Sequence, residues 1–147
     1  MAVFQFFDRA IGRLMDGTIQ IGTHQFWAYL TNNAPDRFNH QYRSDLPGLS
    51  TGNGYVAGGQ QLTGLTFQML PGSPQGIWRF DSNNFSWTAS GGNIGPFRWT
   101  VIYAKGAGSP NDYLVCYADY GASITVTSGN SFTVLTPTGI FDVRQVA

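Results

Sequence analysis

Residues 97–136, FRWTVIYAKGAGSPNDYLVCYADYGASITVTSGNSFTVLT, carry the pattern that decides the fold. Two runs rich in aromatic and β-branched residues, 97–104 and 113–120, flank a break at 106–110 built from Gly, Ala, Ser and Pro. Strand side chains alternate between faces, so Phe97, Trp99, Val101 and Tyr103 are predicted to share one face of the first run. Farther on, Ile124 and Val126 alternate with Thr125 and Thr127. A Ser128-Gly129-Asn130 turn then leads to Phe132, Val134 and Thr136. That pattern predicts a terminal hairpin, after which Pro137 and Gly139 set off one more strand at 140–143. Short strands at a spacing of about 8–12 residues, punctuated by Gly and Asn, describe a sandwich or barrel.

The same signals extend toward the N-terminus. Residues 77–80 and 85–89 flank Asp81-Ser82-Asn83-Asn84 and read as a hairpin, with Phe80 opposite Phe85 and Trp78 opposite Trp87. Residues 62–70 read as a strand stopped by Pro71-Gly72-Ser73-Pro74. Residues 18–21 and 25–30 read as two strands around Gly22-Thr23, the second with apolar groups on both faces. Such a strand is buried on both sides or lies at a contact surface. Residues 1–16 are the helical exception. Phe4, Phe7, Ile11, Leu14 and Met15 recur at helical spacing, and Asp16-Gly17 offers a stop with Gly in a left-handed cap. Residues 31–61 form an extended loop that carries Phe38, Tyr42 and Tyr55. An irregular excursion of that length is usually functional or ordered by a partner.

Composition agrees with strands and turns. All eight acidic residues are Asp, and Lys105 is the only lysine. Glu and Lys populate exposed helix faces, whereas Asp favours turns and helix starts. Charged residues make up 11% of the chain, so its surface rests on Asn, Gln, Ser, Thr and Gly. A net charge of zero supplies no electrostatic footprint for nucleic acid or an anionic membrane, and little repulsion between copies. No apolar stretch approaches the ~18 residues of a membrane span. No basic and apolar leader precedes residue 8, so synthesis and folding in a cytoplasm are expected.

Chemistry is expected to be absent, with no catalytic residue, cofactor site or metal site. Two His (His24, His40) and one Cys show no metal-ligand spacing, and His24 reads as a turn residue. Cys116 lies in an apolar run and reads as a buried, inert thiol. No G-x-S-x-G elbow occurs, and Gly106 to Pro110 reads as a turn. The Gly-rich pieces 52–54 and 58–59 lack the spacing of phosphate loops. Asp81, Asp112 and Asp119 are the acids that convergence could turn into a hydrolase pair, but turn positions account for most acids without it. Trp27, Trp78, Trp87 and Trp99 could form a platform for a sugar, form a subunit interface, or simply fill a core.

The order of segments resembles a known family. The quoted pieces are LMDGTIQIGTHQFWAYLTNNAP (14–35), GNGYVAGGQQLTG (52–64), WRFDSNNFSWTASGG (78–92), RWTVIYAKG (98–106), DYLVCYADYG (112–121) and ITVTSGNSFTVLTPTGIF (124–141). Together they resemble small virion structural proteins of tailed bacteriophages over nearly the whole chain. Departures are the middle strand at 98–103, Tyr120 in place of the usual Phe, and an enlarged segment at 38–48.

The resemblance implies a mainly β protein: residues 1–147 as a single β-sandwich, Ig-like or jelly-roll-like, with a short N-terminal helix and one long irregular loop. It implies a non-enzymatic virion component assembled in the host cytoplasm. The role expected is a capsid decoration or cement protein that contacts the major capsid protein or other virion proteins. A homo-oligomer is expected, with a trimer among the states open to it. The alternative is a tail- or head-fibre-associated module that binds a host glycan or receptor. Candidate interface residues are Phe4, Phe7, Phe38, Tyr42 and Tyr55.

Overall fold

The strand β2 (Gln25–Thr31) has apolar groups on both faces, so the sheet that holds it must be covered twice. The computed structural model, which describes residues 3–72, 76–106 and 111–144, provides both covers. In chain order the elements are β1 (Phe4–Phe6), α1 (Asp8–Asp16), β2, β3 (Gln60–Gln61), β4 (Thr66–Met69) and β5 (Trp78–Asp81). Then follow β6 (Phe85–Thr88), β7 (Ile94–Lys105), β8 (Tyr113–Val126), β9 (Ser131–Val134) and β10 (Phe141–Val143). All pairings are antiparallel, in three open sheets: β1-β8-β7-β2-β3, β10-β5-β4 and β6-β9. The protein is mainly β with one short helix, and no sheet closes into a barrel.

Phe26, Ala28 and Leu30 of β2 join Ile102, Ala104 and Cys116 in one cluster with Phe80, Phe85, Trp87, Val134 and Phe141 of the smaller sheets. The rings meet directly, with Phe26–Phe80 at 5.0 Å, Phe6–Phe141 at 4.8 Å and Phe80 stacked on Phe141 at 4.9 Å. Tyr29, Val101, Tyr103 and Leu114 form a second cluster with Phe7, Ala10 and Leu46. Each large apolar side chain removed from water contributes about 1.5–3 kcal/mol, so both clusters stabilise the central sheet.

Residues 31–61 supply the missing edge of β2. Its inner edge pairs with β7, but β3 reaches only Trp27 and Ala28. Leu62 N–H donates to the Phe26 carbonyl (2.8 Å), Leu49 N–H to the Leu30 carbonyl (2.9 Å), and Leu30 N–H to the Tyr55 hydroxyl (3.0 Å). The Tyr29 hydroxyl donates to the Leu46 carbonyl (2.7 Å) and Thr31 Oγ1 to the Pro47 carbonyl (2.7 Å). Gly59, at φ +79°, comes so close that a Cβ there would overlap the Ala28 carbonyl oxygen. The excursion is thus a strap that crosses from one cluster (Leu46) to the other (Tyr55).

Several sequence expectations need correction. The helix begins at Asp8, because residues 4–6 pair as a strand with Cys116–Ala118. Phe7 and Ala10 face inward, whereas Ile11 and Met15 are exposed. The stop holds, with Gly17 in the left-handed conformation at φ 84°. Residues 18–21 turn rather than extend: Asp16 Oδ1 accepts from Thr18 N–H (2.8 Å), and His24 N–H donates to the Gln20 carbonyl (3.0 Å). Residues 62–70 do not make one strand, and only 66–69 extend, as β4.

Neither predicted hairpin forms. Phe80 pairs with Phe67 and Phe141, and Phe85 with Val134, because residues 81–84 carry the chain between sheets. That crossing is pinned by Asn83 N–H on the Thr63 carbonyl (2.8 Å) and by Thr136 N–H on Asn84 Oδ1 (2.9 Å). β9 pairs with β6 instead of β8. Phe97 lies with Ile102 and Ala104 rather than with Val101 and Tyr103, because the register shifts between Phe97 and Trp99. The turn expected at 106–110 and the stop at 71–74 fall partly outside the described residues.

Replacing Tyr55 by Phe leaves the buried Leu30 N–H without an acceptor. Urea unfolding of Tyr55→Phe is expected to show a loss of about 1–3 kcal/mol with an unchanged m-value.

Candidate interaction surface

The five interface candidates divide by position. Phe7 and Tyr55 are buried, at 0% and 2% exposure, so they build this chain's own interior and offer a partner nothing. Burial pushes the Tyr55 hydroxyl up to about 12, which keeps it neutral as the acceptor for Leu30. Phe4 and Tyr42 are half-buried: Phe4 packs against the larger cluster, and the Tyr42 ring lies 5.7 Å from Tyr113 beneath the Arg13 guanidinium.

Phe38 is different, at 62% exposure. It is held outward by a rigid turn in which Asp36 Oδ1 accepts from Phe38 N–H (3.1 Å) and Asn39 N–H (3.2 Å). Asp36 Oδ2 accepts from the Asn39 amide (2.7 Å), and His40 Nδ1 accepts from Asp36 N–H (3.0 Å). Arg37 stacks on the Phe38 ring at 4.8 Å and pairs with Asp8 at the start of α1 (2.9 Å). An aromatic knob is thereby displayed on a fixed base.

A second apolar feature went unseen in the sequence. Met69, Trp78 and Val143 stand in one row across β4, β5 and β10, on the same sheet face as the buried Phe80 and Phe141. That face overhangs the core, so Met69 is 53% exposed and Trp78 43%, with the Phe67 ring 5.5 Å from Trp78. Alternation places these residues on the inward face, yet neither buried cluster includes them. The Phe38 knob sits beside Asp8, next to Phe7 of the second cluster, whereas the row belongs to the sheet whose Phe80 and Phe141 join the first; α1 itself touches both, through Ala10 and Leu14.

The remaining sequence candidates have local roles. Asp81 accepts from Ser82 N–H, Asp112 from Gly106 N–H, and Asp119 pairs twice with Arg98 (2.7 and 3.0 Å). His24 Nδ1 accepts from Gln20 N–H (3.1 Å), so both histidines staple turns. Cys116 is buried, and burial pushes its thiol well above the ordinary range. The four Trp lie on three different sheets, with Trp87 buried, Lys105 over Trp27 and Arg98 over Trp99, so they make no common platform. Among the described residues no three His, Cys or Asp side chains gather as a metal site, and no helix is long and apolar enough to cross a membrane. Compared with protein-family models, curated proteins and solved structures, the chain finds no match in any of the three.

Two predictions follow from these placements. Phe38→Ser is expected to change unfolding free energy by less than about 0.5 kcal/mol, and Phe7→Ala to lower it by about 3–5 kcal/mol, in the same urea titration. Acid stability is the second. The carboxyls of Asp16, Asp36 and Asp45 are held below their usual range chiefly by hydrogen bonds from Thr18, Asn39 and Gln41, and those of Asp119 and Asp142 by Arg98 and Arg79. Depressed folded values contribute stability that is complete above the unfolded value and disappears as pH falls through the folded one. Thermal midpoints are therefore expected to stay level from pH 7 to 5 and to fall below about pH 4, less steeply in Asp142→Asn.

Proposed function

We propose that this protein is a non-enzymatic structural component of a tailed-phage virion, acting as a decoration or cement protein on the capsid lattice. The observation that carries the reading is the pair of exposed apolar features, Phe38 and the Met69–Trp78–Val143 row, carried on separate elements of one fold. A decoration protein must hold at least two neighbours at a set separation, and a rigid body with two such features suits that task. A sparsely charged chain, 11% charged with zero net charge, supports the same reading, because it adds little repulsion to close packing. The resemblance of segment order to phage virion proteins gives the reading its address.

The finer fold reading belongs with it. The three-stranded and two-stranded sheets together serve as the second layer of a sandwich over the five-stranded sheet, and the strap closes one side. Expected partners are the major capsid protein and further copies of this chain.

Particles of the encoding phage, purified on a density gradient and analysed by quantitative mass spectrometry, are expected to contain the chain in fixed ratio to the capsid protein. Phe38→Ser and Trp78→Ser are each expected to reduce that ratio while leaving the isolated protein folded. Particles that lack the chain, or hold it at wild-type ratio in both variants, would overturn the proposal.

A further inference from the structure

Arg43 stands apart from the other arginines whose side-chain partners are known. Arg37, Arg79 and Arg98 each pair with an aspartate, and Arg13 donates to Gln41. Arg43 makes no ion pair among the described residues, and its Nε is buried with no hydrogen-bond partner. The acids close to it in the chain or in contact are engaged elsewhere. Asp45 Oδ2 accepts from Gln41 N–H (2.9 Å) and Tyr42 N–H (3.0 Å). Asp112, whose carbonyl accepts from Arg43 N–H (2.9 Å), gives its side chain to Gly106 N–H (3.0 Å).

The guanidinium is nonetheless held in place. It lies 5.6 Å from the centre of the Tyr29 ring and 5.5 Å from that of Tyr103, both buried. Those rings are themselves locked by hydroxyls that donate to the carbonyls of Leu46 (2.7 Å) and Gly58 (3.0 Å). Arg43 also lines a depression of about 290 Å³ with Ser44, the strap residues 46–50 and Ala57. A charged, planar group thus packs against a pair of touching tyrosine rings, with its Nε shut away from water, and borders a small depression.

We infer that this depression is a carboxylate-binding site, with the Arg43 guanidinium as its recognition element. A planar two-oxygen anion matches the guanidinium fork, and a donor already fixed by its surroundings loses little freedom on binding. The cavity admits one small group, such as a free carboxylic acid or a single acidic side chain of a docked protein. The inference is independent of the virion reading, because it concerns what Arg43 binds and not where the protein resides.

The test is a titration of the 15N-labelled protein, following the Arg43 Nε–H resonance at constant ionic strength. Sodium acetate is expected to shift it saturably with a Kd of about 1–10 mM, and sodium chloride to leave it flat. N-acetyl-Gly-Asp-Gly-amide, set against its Asn counterpart, separates the two sources. Saturation by the Asp peptide assigns the site to a docked side chain, and saturation by acetate alone assigns it to a free acid. In Arg43→Lys, backbone shifts around the strap should respond to acetate about tenfold more weakly, because the charge remains and the fork is lost. Equal response to chloride, saturation by inorganic phosphate but not acetate, or an undiminished response in Arg43→Lys would overturn the inference. The wild-type comparison of acetate with chloride stands even if the variant unfolds.

Discussion

The outer edge of β2 is the constraint on which the rest of the structure depends. A strand buried on both faces cannot leave its backbone donors and acceptors unpaired, since each would cost about 1–3 kcal/mol. β3 covers only part of that edge, and residues 46–62 complete it with one hydroxyl and several backbone groups. This explains why an irregular, Gly-rich stretch is so closely bound to the sheet. Its glycines permit a close approach that a Cβ would block, and its aromatic Tyr55 acts as a structural acceptor within the core.

With both sheet faces covered from within the chain, the apolar groups that remain outside stand out. Most of the chain's aromatic residues are engaged in ring contacts with one another. Phe38 stands outside those contacts, and Trp78 of the exposed row meets the ring of the likewise exposed Phe67; each feature is carried by a hydrogen-bonded turn or paired strands. Electrostatics follows the same economy. Asp carboxylates cap turns or pair across strands, so the few charges present stiffen the loops that hold these features.

Local features were legible in the sequence, and long-range pairing was not. The strand at 25–30, the stop at Gly17, the burial of Cys116 and the mainly β character all follow from composition and short spacing. Strand partners do not: a turn-like 81–84 reads as a hairpin, and only the bonds of Asn83 and Asn84 to distant residues show that it crosses between sheets. A register shift is equally invisible, and it moved Phe97 to the opposite face. Among the interface candidates, Phe7 and Tyr55 lie buried, which the sequence does not signal for one reason. An aromatic residue in a loop or at a helix start carries no local sign of whether it turns inward. The row at Met69, Trp78 and Val143 escaped notice for the converse reason, since alternation cannot report where the opposing layer ends.

The pairing of β1 with β8 has a consequence for biosynthesis. Phe4, Gln5 and Phe6 leave the ribosome more than a hundred residues ahead of their partners Ala118, Tyr117 and Cys116. Phe6 must also await Phe141 for its ring contact. The nascent chain therefore carries β1 unpaired while more than a hundred further residues are added, and β8 shows a bare edge to other chains until that strand arrives. Closure of that edge has to wait for β8 to emerge, and its speed sets how long each new molecule stays open to pairing with a neighbour.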